Sequence, residues 1–130
     1  MGARILIVED TASSRILMEH LLRAFGHETF SAQNGGDAVR LAGEKRPDLI
    51  LMDLQMPGMD GFKAAEQIRA LKQPRVPIVA VTASAMIGDR DRILARGFDG
   101  YIAKPITPET FVYQIDAFLG GGAGGGGTAA

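Results

Sequence analysis

Residues 49–52 form a run of four apolar side chains that ends at once in the carboxylate of Asp53, and this run constrains the fold more than any other stretch. Short continuous apolar runs bounded by turn residues are typical of strands that are buried on both faces, as in parallel sheets. Pro57 and Gly61 follow and predict a loop. The stretch therefore predicts a central strand that carries Asp53 at its C-terminal end.

Three further apolar runs also end in polar residues. They are residues 5–8 before Glu9 and Asp10, residues 78–81 before Thr82, and the weaker run of residues 101–103 before Lys104. The C-terminal ends of parallel strands lie at one edge of a sheet, and α/β proteins bind their ligands there. We therefore expect these polar side chains to meet Asp53 at that edge.

Helical periodicity separates the apolar runs from one another. It predicts helices that begin near residues 11, 37, 62, 86 and 107, and alternation over residues 28–32 predicts a short edge strand. The first helix should bury Leu17, Leu21, Ala24 and Phe25. The fourth helix, over about residues 86–96, has a thin apolar face, so we expect it to be comparatively mobile.

Strands and helices that alternate along a chain predict a parallel sheet with right-handed crossovers and helices on both faces. We predict a doubly wound, flavodoxin-like α/β fold with an open five-stranded parallel sheet in the order 2-1-3-4-5. Its switch point lies between the first and third strands, beside Asp10 and Asp53. Residues 1–119 would form one domain, and the glycine-rich residues 120–130 a flexible tail or linker stub.

Charge and composition narrow the range of partners. The chain has 14 Lys plus Arg and 15 Asp plus Glu, a balance that gives no sign of a nucleic-acid or membrane surface. It has no cysteine, which excludes disulfides and thiolate metal sites. No apolar run approaches the roughly 18 residues that a membrane-spanning helix needs. We expect a soluble, cytoplasmic protein without nucleic-acid or membrane partners.

The three acids at the predicted edge indicate a divalent metal site. At about 5 Å and an effective dielectric constant near 20, each pair of carboxylates repels by roughly 3 kcal/mol, and a cation relieves that repulsion. Oxygen ligands favour Mg²⁺, with Mn²⁺ as the alternative. We predict Asp10 and Asp53 as direct ligands, Glu9 as a ligand through water, and the backbone carbonyl of Gln55 as a further ligand.

A carboxylate beside Mg²⁺ with an ammonium group nearby can attack a phosphoryl group and form an acyl phosphate. Asp53 would be the nucleophile, and Lys104 and the metal ion would neutralise the phosphoryl oxygens. The Thr82 hydroxyl and the backbone N–H of Ala83 could bind the remaining oxygen.

Four segments in this order resemble the signature of the response-regulator receiver domain of two-component signalling. They are Val8-Glu9-Asp10, residues 51–61, Val81-Thr82-Ala83 and Lys104-Pro105, and the similarity runs from Arg4 to about Leu119. Residues 83–89 are similar to stand-alone cell-division receivers and to receivers at the ends of hybrid kinases.

The resemblance implies that Asp53 accepts a phosphoryl group from a histidine kinase or a histidine phosphotransfer protein. It also implies that Thr82 and Tyr101 form a coupled switch pair and that Lys104-Pro105 is a cis peptide. A phosphoryl group would draw Thr82 inward and make room for Tyr101. We expect a downstream protein target at the face of helix 4, strand 5 and helix 5, no output domain in this chain, and only slow self-catalysed phosphorylation and dephosphorylation.

Two other functions suit the same fold. A Mg²⁺-dependent phosphohydrolase would resemble Asp-x-Asp, in which the second acid donates a proton, but Gln55 occupies that position here. A flavodoxin-like cofactor binder would need a Gly-, Ser- or Thr-rich phosphate loop after the first strand, where Glu9 and Asp10 would repel a phosphate unless a metal ion intervened.

Overall fold

Five strands alternate with five helices along the chain, as the sequence predicts. The computed structural model describes residues 2–54, 56, 61–71, 75–83 and 87–120. The elements are β1 (Arg4–Val8), α1 (Ala12–Ala24), β2 (Glu28–Ala32), α2 (Gly35–Lys45), β3 (Leu49–Asp53), α3 (Gly61–Arg69), β4 (Ile78–Thr82), α4 (Ile87–Ala95), β5 (Gly100–Ala103) and α5 (Pro108–Gly120).

The strands form one parallel sheet in the order β2-β1-β3-β4-β5. Leu6 of β1 lies opposite Phe30 of β2 on one side and opposite Ile50 of β3 on the other. The strand β2 therefore lies on one side of β1, and β3, β4 and β5 follow on the other side. The switch point lies between β1 and β3. The predicted doubly wound fold and strand order are confirmed.

The apolar runs become the central strands of the sheet because helices cover both faces. Every residue of β3 and β4 is buried, and so is β1 after Arg4. At the edge strand β2 only Ala32 is fully buried. Alternate side chains of a strand point to opposite faces, so a strand covered on both sides must be apolar throughout.

The helices bury one stripe each against the sheet. The buried residues of α2, α3 and α5 are Gly35, Ala38, Ala42, Gly61, Ala64, Ala65, Ile68, Phe111, Ile115 and Phe118. Small side chains on α2 and α3 let these two helices lie close to the sheet and to each other, whereas α5 fills its space with aromatic rings. None of the described helices has both the length and the apolar composition that crossing a bilayer requires.

The start of α2 differs from the predicted position by two residues. The helix begins at Gly35, and Asn34 precedes it in an extended conformation. The side-chain oxygen of Asn34 accepts a hydrogen bond of 2.8 Å from the N–H of Asp37. Asp37 is therefore the third residue of the helix, where an acid is stabilised by the N-terminal dipole.

The predicted buried face of α1 is correct only in part, since Leu17 and Leu21 are half-buried and Leu21 packs against the core. Met18 and Leu22 are buried, whereas Ala24 is exposed and Phe25 is 60% exposed. Phe25 is the residue after the last helical residue, and Gly26 follows with φ 88° and turns the chain away. Because Phe25 lies beyond the last helical residue, its ring does not continue the apolar face of the helix that the sequence spacing predicted for it.

The glycine-rich end stays a prediction. Residues 121–130 lie outside the described residues, and α5 includes Gly120 as its last residue.

Candidate functional site

The predicted polar residues end or directly follow four neighbouring strands and meet at the C-terminal edge of the sheet. The register pairs Val8 with Met52, one residue before Glu9 and Asp53, and pairs Asp53 with Val81. Thr82 pairs with Ala103 on β5, directly before Lys104. The parallel topology thus converts four separate sequence segments into one cluster.

Three carboxylates form the centre of this cluster. Glu9, Asp10 and Asp53 each offer an oxygen atom, and these atoms all lie within 4.8 Å of one another. Glu9 is fully buried, Asp53 is 6% exposed and Asp10 is half-buried. At about 5 Å and an effective dielectric constant near 20, each ionised pair repels by roughly 3 kcal/mol. Positive charge close to the three carboxylates is therefore needed to offset their repulsion.

Lys104 brings one positive charge to the acids. Its Nζ lies 2.8 Å from Glu9 Oε1 and 3.8 Å from Asp53 Oδ2. Its backbone N–H donates a 2.9 Å hydrogen bond to the carbonyl of Thr82, which keeps the residue beside β4. The Lys104-Pro105 peptide is cis, as the family resemblance implies. Lys104 offsets at most one of the three negative charges.

Glu9 is held from several directions. Its backbone N–H donates to the carbonyl of Ala32 at 3.0 Å, and Arg15 Nη1 donates to the Glu9 carbonyl at 3.2 Å. Its Oε2 accepts from the N–H of Thr11 at 3.2 Å. Its Oε1 forms the ion pair with Lys104 and accepts no hydrogen bond from the described residues.

This donor set fits a hard divalent cation. Mg²⁺ binds through one or two carboxylates and keeps several waters, and Mn²⁺ accepts the same oxygen ligands. Asp10 and Asp53 offer such carboxylates, and the buried Glu9 Oε1 has acceptor capacity left for a water of the ion's hydration shell. The remaining predicted ligand, the backbone carbonyl of Gln55, lies outside the described residues.

The two residues of the predicted switch pair share one face of the sheet. Thr82 pairs with Ala103, and Tyr101 pairs with Ala80, so the two residues are diagonal neighbours on adjacent strands. Thr82 is 2% exposed and Tyr101 is 8% exposed, so both side chains lie inside the protein. Ala83, the predicted phosphoryl contact, follows Thr82 and is exposed.

Gly61 contributes in a way that sequence analysis missed. It is the first residue of α3 rather than a loop residue, and its N–H donates to the Leu54 carbonyl at 3.1 Å. A Cβ atom at this position would lie 2.5 Å from the Asp53 carbonyl oxygen and 2.8 Å from the Leu54 Cα. Only glycine therefore lets the first turn of α3 lie against the end of β3.

Arg15 was also missed. It lies on the first turn of α1, half-buried, and its guanidinium reaches the carbonyl of Glu9. The peptide that carries this carbonyl also carries the N–H of Asp10, so Arg15 helps to orient the segment that presents the acids. Nothing in the sequence separates this arginine from a solvent-exposed helix residue.

Comparisons with known proteins agree with this geometry. The family described as response regulator receiver domain matches residues 5–116 of the chain. The polar-differentiation response regulator DivK of Brucella anthropi is 41% identical over 121 residues, which cover 92% of this chain and 98% of DivK.

Two solved structures share both the fold and the sequence pattern. The receiver domain of the sensor histidine kinase PA1611 from Pseudomonas aeruginosa PAO1, with a magnesium ion coordinated in its active-site cleft, is 38% identical with a TM-score of 0.84 and covers 92% of this chain and 99% of that domain. The receiver domain of Saccharomyces cerevisiae Ssk1, crystallised with the histidine phosphotransfer protein Ypd1, is 32% identical with a TM-score of 0.84 and covers 94% of this chain and 92% of that chain.

Proposed function

Because the chain belongs to the response regulator receiver domain family, we propose that Asp53 is the residue on which it carries a phosphoryl group. Members of this family are signalling switches rather than classical enzymes, and phosphorylation-dependent signalling is the function of this chain. The observation that carries the assignment to Asp53 is its position at the end of the central strand. There its carboxylate lies beside two other acids and 3.8 Å from Lys104 Nζ.

This arrangement supports phosphorylation of Asp53 by a phosphohistidine. A carboxylate oxygen of Asp53 attacks the phosphorus, and the new P–O bond forms as the P–N bond breaks. The electron pair of the broken bond stays with the imidazole nitrogen, which takes up a proton. The product is an acyl phosphate on Asp53. Asp53 needs no general base because it is the nucleophile in its ionised form.

The neighbouring residues would bind the phosphoryl oxygens and the metal ion. Asp10 and Asp53 would hold Mg²⁺ directly, and Glu9 and the Gln55 carbonyl would complete its shell. When bound, the ion supplies positive charge beside the phosphoryl oxygens. Lys104 would contact one of these oxygens. Thr82 and Ala83 come directly after Val81, the β4 residue that pairs with Asp53. The Thr82 hydroxyl and the Ala83 N–H would bind another phosphoryl oxygen.

The switch would act through Thr82 and Tyr101. A phosphoryl group adds about −1.5 to −2 charges and three acceptor oxygens, so it attracts the Thr82 hydroxyl towards Asp53. The movement changes the space available to Tyr101, its diagonal neighbour on the same face of the sheet. Phosphorylation would then bias two arrangements of the surface made by α4, β5 and α5, which we propose as the face for the downstream protein target.

The phosphoryl donor is proposed to be a histidine kinase or a histidine phosphotransfer protein. The related Ssk1 receiver, which was crystallised with the phosphotransfer protein Ypd1, supports this class of partner. Mg²⁺ is the proposed cofactor, supported by the magnesium ion in the PA1611 receiver, with Mn²⁺ as a second candidate. A cytoplasmic location and slow self-catalysed dephosphorylation remain predictions.

Intact-mass analysis tests the assignment of Asp53. Incubation with acetyl phosphate and Mg²⁺ should add one phosphate that hydroxylamine removes, since acyl phosphates react with this nucleophile. Asp53→Asn should abolish the addition. Asp116→Asn, which removes an exposed acid from α5, is the matched control and should be phosphorylated like the wild type. Equal phosphate incorporation in wild type and Asp53→Asn would refute the assignment.

A further inference from the structure

The fourth helix is attached to the third by a group of five side chains that we call the α3–α4 clamp. Its members are Phe62, Glu66, Arg92, Arg96 and Phe98. We propose that this clamp couples the position of α4 to the phosphoryl-acceptor site through the first turn of α3, as a second connection beside the Thr82 and Tyr101 pair. The proposal rests on the function proposed above and adds a regulatory element to it.

The aromatic ring of Phe62 is the centre of the clamp. The guanidinium carbon of Arg96 lies 4.5 Å from the ring centroid, and that of Arg92 lies 5.5 Å from it. Both distances are within the range of about 6 Å in which a cation is attracted to a ring face. The Phe98 ring meets Phe62 edge to face, with centroids 5.7 Å apart and an interplanar angle of 89°. Phe62 thus contacts one cation from α4 and one cation and one ring from the residues that directly follow α4.

An ion pair accompanies the stacking. Arg96 Nη2 lies 3.2 Å from Glu66 Oε2, with the two side chains 43% and 59% exposed. Exposed ion pairs contribute little because water screens them. The contact therefore serves mainly to orient the Arg96 guanidinium over Phe62, and the ring contacts carry the attachment. This order of importance can be tested because each contact has its own variant.

The other end of the connection is the contact between α3 and β3. Gly61 precedes Phe62, donates its N–H to the Leu54 carbonyl, and lies so close to Asp53 that a Cβ would be 2.5 Å from the Asp53 carbonyl oxygen. Backbone meets backbone here, with no side chain to absorb a displacement. A shift of the first turn of α3 must therefore move the end of β3 or break this hydrogen bond.

Among the side chains of α4 that the structure describes, few contacts other than those of the clamp hold the helix in place. Among its side chains from residue 89 to 95 only Ile93 is fully buried. A helix with so few apolar contacts takes its position from the few contacts that remain. In the proposed coupling, the acceptor site reacts fastest in the arrangement that the clamp favours. Loosening α4 lowers the fraction of molecules in that arrangement and therefore lowers the rate at which Asp53 is phosphorylated.

The test compares Arg96→Gln, at the residue directly after α4, with Arg90→Gln, which removes the same charge from α4 outside the clamp. Two quantities are measured on the full chain, namely the rate of phosphorylation by acetyl phosphate and the hydrogen exchange of residues 87–95 with and without phosphate. Arg96→Gln should slow phosphorylation about two- to five-fold, the factor that one exposed cation–π contact is worth. It should also speed exchange in α4 by a similar factor, whereas Arg90→Gln should change neither quantity.

Two further variants separate the contacts. Phe62→Leu keeps an apolar side chain and removes both cation–π contacts, so its effects should exceed those of Arg96→Gln. Glu66→Gln removes the ion pair alone and should have the smaller effect. If Phe62→Leu does not fold, the surface variants Arg92→Gln and Arg96→Gln still decide the question, since both arginines are exposed.

The outcomes also separate this proposal from the one it rests on. If the wild type takes up no phosphate on Asp53, the proposed function itself fails. If the wild type is phosphorylated and Arg96→Gln behaves like Arg90→Gln in both measurements, the coupling is overturned. Faster exchange in α4 at an unchanged phosphorylation rate overturns it as well, because the clamp would then hold the helix without influencing the site.

Discussion

Acidic side chains have opposite surroundings at the two edges of the sheet where the strands begin and end. At the C-terminal edge, Glu9, Asp10 and Asp53 crowd within 4.8 Å of one another. At the N-terminal edge, Asp99 accepts from Arg69 Nη2 at 2.7 Å and from the Ile78 N–H at 2.8 Å, and it forms an ion pair with Arg75 Nη2 at 2.7 Å.

The difference shows which edge serves stability and which serves function. Asp99 is surrounded by donors that match its charge, and it connects α3, the start of β4 and the start of β5. The C-terminal edge instead concentrates like charges that repel one another, an arrangement that does not stabilise the fold and that suits a cation and a phosphoryl group. Clusters of like charges held close together are typical of functional sites. Removing an acid should therefore lower stability and leave phosphorylation intact at the N-terminal edge, and should raise stability and abolish phosphorylation at Asp53.

The largest effect is expected for Lys104→Met. Glu9 is fully buried, and Lys104 Nζ lies 2.8 Å from it, so this variant leaves an unpaired buried carboxylate. Removing one partner of a buried pair costs about 3 kcal/mol or more. Urea unfolding without divalent metal should show this loss in the free energy of unfolding. Mg²⁺ should restore part of it, and a stability equal to that of the wild type would contradict the charge balance described for this edge.

A smaller loss is expected for Asp99→Ala. The variant removes the acceptor of the Ile78 N–H and the ion pairs with Arg69 and Arg75, and hydrogen bonds to charged groups contribute about 1.5–3 kcal/mol each. We expect about 2 kcal/mol less free energy of unfolding, because Arg69 keeps its bonds to backbone carbonyls. Phosphorylation by acetyl phosphate, measured by intact mass, should continue. Loss of phosphorylation in a folded Asp99→Ala would show that the two edges are not separable.

Asp53→Asn should act in the opposite direction on stability. It removes one of three neighbouring negative charges, and each close pair repels by roughly 3 kcal/mol before screening and the loss of the Lys104 contact are counted. We expect a net gain of about 1 kcal/mol in metal-free buffer, measured by urea unfolding, together with loss of phosphorylation. A destabilised Asp53→Asn would mean that its ion pair with Lys104 outweighs the repulsion.

The smallest effect is expected for Arg75→Gln. The Arg75 side chain is 64% exposed, and Asp99 keeps its contacts with Arg69 and Ile78. Exposed ion pairs are worth about 0.2–1 kcal/mol, so the free energy of unfolding should fall by less than about 1 kcal/mol. High salt should reduce the difference between Arg75→Gln and wild type. An effect as large as that of Asp99→Ala would mean that Arg75 contributes most of the stabilisation around Asp99.

Prediction from sequence succeeded where local pattern and topology suffice. The buried strands follow from continuous apolar runs, and the meeting of Glu9, Asp10, Asp53 and Lys104 follows from parallel strands whose ends share an edge. It was only partly right for the buried face of α1, because Phe25 lies past the last helical residue and Ala24 is exposed. It also missed Gly61 and Arg15, whose contacts join segments that the sequence shows only as separate.

What the sequence determined by itself is the order of elements, the edge at which the chemistry lies and the residue types available there, because periods of two and 3.6 residues and strand ends are local properties. Only the tertiary structure decided which groups touch. The 2.8 Å approach of Lys104 to Glu9, the backbone contact at Gly61 and the stacking of two arginines on Phe62 depend on distances between helices and strands, and packing of the whole chain sets those distances.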